Sequence, residues 1–548
     1  KKIYLDKSLS QIPRILTSMD RNSSSPSYGC CHRDYWLYKT SDFPDAVRQF
    51  GLHALAIVYK KKLPGNIYYR NANILQWIIA GLKFWSHIQH KDGSFDEFYP
   101  NERGWVGPTA FTLFSSIEAL NLIFDDVDKE DLVIIKNTIK KSCDFVIKGG
   151  AEEDHLANHH AMACLAVWKS YKLLGDKKIL VGYESLWKNF LTYCDLDEGW
   201  SREYDGIDPG YLSATISFLG KIYQDNKDPR IMDICKKSIE MCGYFIYPNG
   251  FYAGSVGSRN TQHFYPHGFE IFGKDVSISS SIANKMLGAL GENKLVPPEI
   301  MSDRYLFYRV PELLQCYLDF YERPLEMLLV PYEENDISIY FPNAKINILS
   351  DNDKYLIVNL AKGGVIKLFD KNSSGLLLND CGILGILEDG KIISNQWIDE
   401  KYFISNKNGV LQISGYMNII PTNKYFNVFK NIVFRIFLLF FAWNSHLAHS
   451  LKGWIRKILM LGNRSSNIKF TRKISYISGR LRVEDEIFNK TNKKFKKIYL
   501  GGEFFLRYVP QSRFFQEQEL DIKSKALSDN EIIEINSKGY WYNHFEIC

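Results

Sequence analysis

The feature that most constrains this chain is a change of hydrophobic period near residue 330. From about Asp45 to Leu328, apolar residues recur at i, i+3 and i+4 in successive segments. These are Ala46 to Tyr59, Asn71 to His87, Thr109 to Phe124, Leu132 to Ile147, His159 to Leu174, Tyr183 to Leu196, Tyr211 to Gln224, Pro229 to Phe245, Ser277 to Leu290 and Arg309 to Glu322. Each reads as an amphipathic or buried helix. The loops between them are rich in Gly, Asp and Pro, as in Asp92-Gly93-Ser94. Alternating long helices and polar loops predict helical hairpins stacked in a ring or solenoid, and the lack of strict sequence repeats argues against a simple solenoid.

Beyond Pro331 the pattern turns to short runs bounded by Asn, Asp, Gly and Ser. Tyr355 to Leu360, Gly364 to Phe369, Gly382 to Leu387, Val410 to Gly415 and Leu481 to Phe488 read as strands of an antiparallel sandwich. A helical domain over 1–328 followed by a β domain over 329–548 is the predicted organisation. With 548 residues, both units can bury cores without metal or disulfides. Ten scattered cysteines form no Cys-x-x-Cys pair, so neither a zinc site nor a disulfide framework is indicated, and buried thiols suit a reducing compartment. The aromatic fraction of 14% fits carbohydrate clefts and large cores alike.

Charge is distributed unevenly. No Asp or Glu occurs between Glu400 and Glu484, while that stretch carries 14 Lys and Arg, leaving the rest of the chain net acidic. Within it, about 424–462 reads as a basic, apolar helical hairpin inserted into the β domain. Phe437, Leu438, Phe440, Phe441, Trp443 and Trp454 would contact lipid, with Arg456 and Lys457 beside them. A basic amphipathic hairpin with Trp and Leu predicts binding in the plane of an anionic membrane surface. The competing reading is a hairpin buried against the sandwich. No stretch reads as a membrane span, and no groove-reading or stacking motif points to nucleic acid.

Asn158-His159-His160 opens one helix, and Asp208-Pro209-Gly210-Tyr211 leads into another. An amide, an imidazole and a phenol are what an enzyme needs to remove a weakly acidic proton from carbon beside a carboxylate. Otherwise Asn158 would cap its helix and the histidines would be polar surface. His159 and His160 point about 100° apart, so at most one of them shares a site with Asn158. Gly257 to Glu270 is dense in Arg, His and Tyr and poor in aliphatics, which favours a cleft role for Arg259, His263, Tyr265 and His267. Asp92 to Trp105 is another polar, aromatic loop, with Arg103 and Trp105 as sugar contacts, and Glu203 lies in the loop before Tyr211.

This arrangement resembles the heparinase II/III-like polysaccharide lyases, in which an (α/α) toroid precedes an antiparallel β-sandwich. In that family an Asn-His pair opens a toroid helix, and a catalytic Tyr follows some fifty residues later after a Pro-x pair; Asn158-His159 and Tyr211 match both. The family's Tyr is commonly followed by His, where Leu212 stands here, and its further catalytic His lies farther downstream than His263 or His267.

The resemblance implies that Asn158 neutralises a uronate carboxylate. Tyr211 or a neutral histidine, His159 or His263, would remove the C5 proton, and Tyr211 would protonate the departing O4. Arg259, Glu203, His267, Tyr265, Trp105, Arg103 and His160 would bind substrate. Neither metal nor cofactor is needed. The expected partners are an acidic polysaccharide or lipid-linked glycan and an anionic bacterial membrane, on its cytoplasmic or periplasmic face. The same groups serve a uronyl C5-epimerase, which reprotonates the carbanion on its other face. The remaining alternatives are a membrane-associated glycan-binding protein and a glycoside hydrolase using Glu97 with Glu203.

Overall fold

The computed structural model describes residues 1–102, 105–149, 155–407, 409–420, 427–456, 464–503, 515–521 and 524–548. Five long helices and one short helix form an inner ring: Gly51–Lys60, Val106–Ile123, Ala157–Leu174, Pro209–Asn226, His267–Ile271 and Asp303–Leu318. Each packs on the next, and Asp303–Leu318 closes the ring against Gly51–Lys60. Ala72–His87, Lys129–Gly149, Lys177–Leu191, Pro229–Gly243 and Ser277–Gly291 form an outer layer. Burial explains the division. Val106–Ile123 is apolar almost all round and is the one described helix long and apolar enough to cross a membrane; most of it is buried as the toroid's core. Outer helices such as Pro229–Gly243 bury a single stripe. Asp208 and Asp228 cap their helices with Pro at the first helical position, which sets where two of these helices begin.

The β region consists of two antiparallel sheets. Five strands form a meander in chain order: Ile337–Phe341, Ile346–Ser350, Lys354–Asn359, Val365–Asp370 and Leu376–Asp380. The larger sheet has nine strands, centred on Val410–Ile420, Arg464–Ile477 and Arg480–Phe488, with Tyr540–Ile547 at one edge. Alternate residues Leu481, Val483 and Ile487 of one sheet share a core with Leu356, Val358, Ile366 and Leu368 of the other. The helices Lys2–Leu9, Ile12–Ser18 and Asp529–Lys538, and a small sheet of Cys194–Asp195, Trp200–Glu203 and Gly206–Ile207, are additional to the elements expected from sequence. All ten cysteines are free, and Cys30 and Cys31 are buried.

The helical hairpin comprises Val428–Phe440 and Ser445–Arg456, inserted between two paired strands of the larger sheet. It is not buried against the sandwich: Leu438, Ala442 and Ala448 form its small core with Tyr99 of the toroid. Leu438, expected at lipid, is therefore buried, because it faces the toroid. Phe437 is half-buried beside it, while Phe440, Phe441, Trp443 and Trp454 are exposed. Lys457 and the side chain of Arg456 lie outside the described residues.

Arg472 is fully buried where the two sheets meet. It donates to Asp485 (2.8 Å) and Asp380 (3.0 Å) and to the Gly364 carbonyl (2.9 Å). Removing it would leave two buried carboxylates facing each other without a counter-ion. Arg472→Ala should lower the unfolding free energy by about 3–5 kcal/mol in urea titrations; a change under about 1 kcal/mol would show the triad to be dispensable.

Candidate active site

The start of Ala157–Leu174, the strand Trp200–Glu203 and the start of Pro209–Asn226 meet on one side of the ring. Asn158 is not a cap. It lies at the second helical position, where its backbone N–H and its Nδ2 both donate to Glu203 Oε1, at 2.8 and 2.7 Å. The other oxygen, Glu203 Oε2, accepts from Arg259 Nη1 at 3.2 Å. One fully buried carboxylate thus ties together the amide and the guanidinium. Burial raises the Glu203 carboxyl to about 7, against the opposing pull of Arg259 and the Asn158 donors.

Arg259 lies over two phenol rings, 4.3 Å from the centroid of Tyr211 and 4.8 Å from that of Tyr204. Its Nε is buried without a hydrogen-bond partner among the described residues. Burial pushes the Tyr211 phenol well above its ordinary range, and Arg259 pulls the other way. The Asp208 carboxylate orders this corner by accepting from the backbone N–H groups of Tyr211 (3.1 Å) and Arg259 (3.0 Å). The sandwich completes the support. Lys362 donates to the carbonyls of Ser255 and Gly257 (both 2.7 Å) and to Asn260, and Asn359 donates to the Val256 carbonyl (2.6 Å). The loop bearing Arg259 is therefore held by both domains.

His159 is half-buried beside Asn158, stacked on Trp105 (5.6 Å) and edge-on to Phe111 (5.5 Å). Trp105 stacks in turn on Phe98 at 5.2 Å. Phe111 also meets Tyr308 (5.7 Å), whose phenol is close enough to Tyr211 to interact electrostatically. His263 is buried behind this wall, its ring 5.9 Å from Tyr265 and 6.2 Å from Tyr305. Neither ring nitrogen has a hydrogen-bond partner among the described residues, and burial together with Arg309 lowers its pKa well below the usual value, keeping it neutral. Tyr265 is buried under Arg309 (4.6 Å).

Two expected substrate contacts sit elsewhere. His160 points away from Asn158, stacks on Tyr193 at 4.3 Å and lies 3.2 Å from Asn189, as the 100° step along a helix requires. His267 is wholly buried: its Nε2 lies 2.7 Å from Asp319, and its backbone N–H donates to Glu312, part of a buried ion pair with Lys221. Glu97, the other carboxylate of the hydrolase alternative, pairs with Arg304. Arg103 lies outside the described residues. Conversely, Tyr204, Asp208, Tyr305 and Lys362 belong to the site although their sequence context does not single them out. Tyr204 carries one trace of its role, a left-handed backbone (φ 57°) beside Asp205-Gly206 that turns its ring under Arg259. No group of three or more metal-ligating side chains occurs among the described residues.

Residues 57–268, which contain Asn158, Glu203, Tyr211 and Arg259, match the family model described as Ulvan lyase N-terminal domain. Comparison with curated protein sequences gives no match. Among solved structures, the Streptomyces coelicolor A3 chondroitin AC lyase in complex with chondroitin sulphate is 9% identical, covering 91% of this chain and 67% of its own, with a TM-score of 0.53. A mutant of that enzyme gives 9% identity, the same coverages and a TM-score of 0.50. A heparan sulfate lyase HepC mutant from Pedobacter heparinus is 9% identical over 91% of this chain and 70% of its own, with a TM-score of 0.44. Residues 57–268 are thus similar to that N-terminal domain, and the fold, helical ring first and antiparallel sheets after, is shared with the Streptomyces chondroitin AC lyase.

Glu203 gives the site a pH signature. Its folded pKa of about 7 lies above the ordinary 4.5, so the fold favours the protonated form. The stability this contributes is present at low pH and is lost as pH rises through that window. Glu203→Gln cannot titrate, so between pH 4.5 and 7 the wild type should lose about 3 kcal/mol of unfolding free energy relative to the variant. A difference between the two that stays constant with pH would show that Glu203 ionises normally.

Proposed function

We propose that this chain is a polysaccharide lyase acting on a uronate-containing glycan by C5 proton abstraction and β-elimination. The observation that carries the reading is the convergence of the Asn158 amide and the Arg259 guanidinium on a carboxylate, beside the Tyr211 phenol. A pair that holds the Glu203 carboxylate has the donors to hold a uronate carboxylate as well. Asn158 Nδ2 carries a second N–H, and Arg259 has its unused Nε.

In this mechanism those donors stabilise the charge that spreads into the carboxylate as the C5–H bond breaks. His159, half-exposed on the cleft wall next to Asn158, takes the proton. The electron pair forms the C4=C5 double bond and the C4–O4 bond breaks. Tyr211 protonates O4, a role suited to a phenol that stays protonated at neutral pH. The products are an unsaturated uronide and a shortened glycan. Phe98, exposed at the end of the Phe98–Trp105–His159 stack, offers an aromatic contact for a sugar ring. The same proposal sets the enzyme at an anionic bacterial membrane, on a lipid-linked glycan.

Incubation with ulvan, chondroitin sulfate and heparan sulfate, followed through the ultraviolet absorbance of the unsaturated uronide, tests this directly. The wild type should turn over at least one of them, and Tyr211→Phe should slow that turnover by about 10²–10⁴-fold. Unaltered turnover in the variant would remove Tyr211 from the mechanism. Deuterium entering C5 from solvent without absorbance would replace elimination by epimerisation.

A further inference from the structure

Val428–Phe440 has two unlike faces. At about 100° per residue, Val428, Phe429, Ile432, Val433, Ile436 and Leu439 fill one arc, and all are exposed. Arg435 borders that arc at one edge, and the exposed Lys430 lies past its other edge, beyond Phe437. Phe434, Phe437 and Leu438 take the opposite side, against Tyr99. The exposed arc continues through Phe440, Phe441 and Trp443 at the turn. So broad an apolar surface marks a docking site.

Its charge selects the occupant. Lys430 stands beside the apolar arc, with Arg435 shared with Asp42 of the toroid, in a stretch without an acid of its own from residue 401 to 483, a pattern that fits anionic headgroups above acyl chains. Thirteen residues span about 20 Å, too short to cross a bilayer of about 30 Å, so the helix lies in the interface.

The inner face of the same helix touches the wall of the cleft. Phe434 meets Tyr99 edge-on at 5.4 Å, Asn101 Nδ2 donates to the Leu438 carbonyl at 3.4 Å, and Arg435 pairs with Asp42 at 3.2 Å. One residue before Tyr99, Phe98 stacks on Trp105, and Trp105 stacks on His159. We infer that the hairpin's outer face lies in the surface of an anionic bilayer and holds the mouth of the cleft there, so that the acidic glycan is taken while attached to that membrane. The glycan part rests on the lyase reading; the lipid part does not.

Flotation of the full-length chain with phosphatidylcholine vesicles, with and without phosphatidylglycerol, tests the lipid part. The protein should float only with the anionic vesicles and sink at high salt. The Phe429→Ser/Ile432→Ser/Ile436→Ser variant should stay at the bottom with unchanged circular dichroism. Lys430→Glu, which leaves the apolar arc intact, should weaken binding by about fivefold or more. On uronate oligosaccharides, the triple variant should keep wild-type turnover in solution and lose about tenfold or more on the same sugar tethered to anionic vesicles. Failure of the wild type to float, flotation of the triple variant, or self-association through the hairpin would overturn the inference. Flotation without turnover of any uronate glycan would overturn the lyase reading alone.

Discussion

The site depends on one buried carboxylate. Glu203 stands on a four-residue strand with no solvent access, and such a group is tolerated only where donors surround it. Here the donors come from the first turn of one inner helix and from the loop between the outer helix Pro229–Gly243 and the inner helix His267–Ile271, so Asn158 and Arg259 are held in register by what they share. Asp208 does the same one layer away, capping the Tyr211 helix while binding the Arg259 backbone. Two internal carboxylates therefore tie three segments of the toroid into a single corner.

That corner accounts for the architecture around it. The ring supplies the two helix starts, and the sandwich supplies Lys362 and Asn359, which hold the 254–260 loop from outside. A toroid alone would leave the carbonyls of that loop without these partners. The aromatic wall of Trp105, Phe111, Tyr308 and Tyr305 links His159, Tyr211 and His263 without committing their polar atoms to one another. The proposed elimination uses His159 and Tyr211, while His263 stays buried behind them.

Long elements were legible in the sequence because their burial is periodic. The five long inner helices, the outer amphipathic helices and the strand Leu481 to Phe488 follow from spacing, whereas the short inner helix His267–Ile271 does not. The strands around Glu203, of two to four residues, are too short to show alternation, so that segment reads only as a turn-rich loop. Ser528 with Glu531 forms a capping box, a short-range sequence signal that marks the start of the helix Asp529–Lys538. Within the site, Asn158, His159 and Tyr211 could be picked out because each opens a helix. Tyr305 and Lys362 come from nearly 100 to 150 residues beyond Tyr211, and spacing carries no trace of them. His267 illustrates the opposite error. The run from Arg259 to Glu270 is polar because it lies between packed helices and the sandwich, where buried hydrogen bonds and ion pairs replace aliphatic contacts, and only its first half faces Tyr211.

The most direct test of the account is a crystal structure of Tyr211→Phe with an acidic tetrasaccharide bound. The account predicts a uronate carboxylate within hydrogen-bond reach of Asn158 Nδ2 and Arg259, its C5 turned toward His159 and its O4 toward position 211. A sugar bound with its carboxylate remote from Asn158 and Arg259 would contradict it.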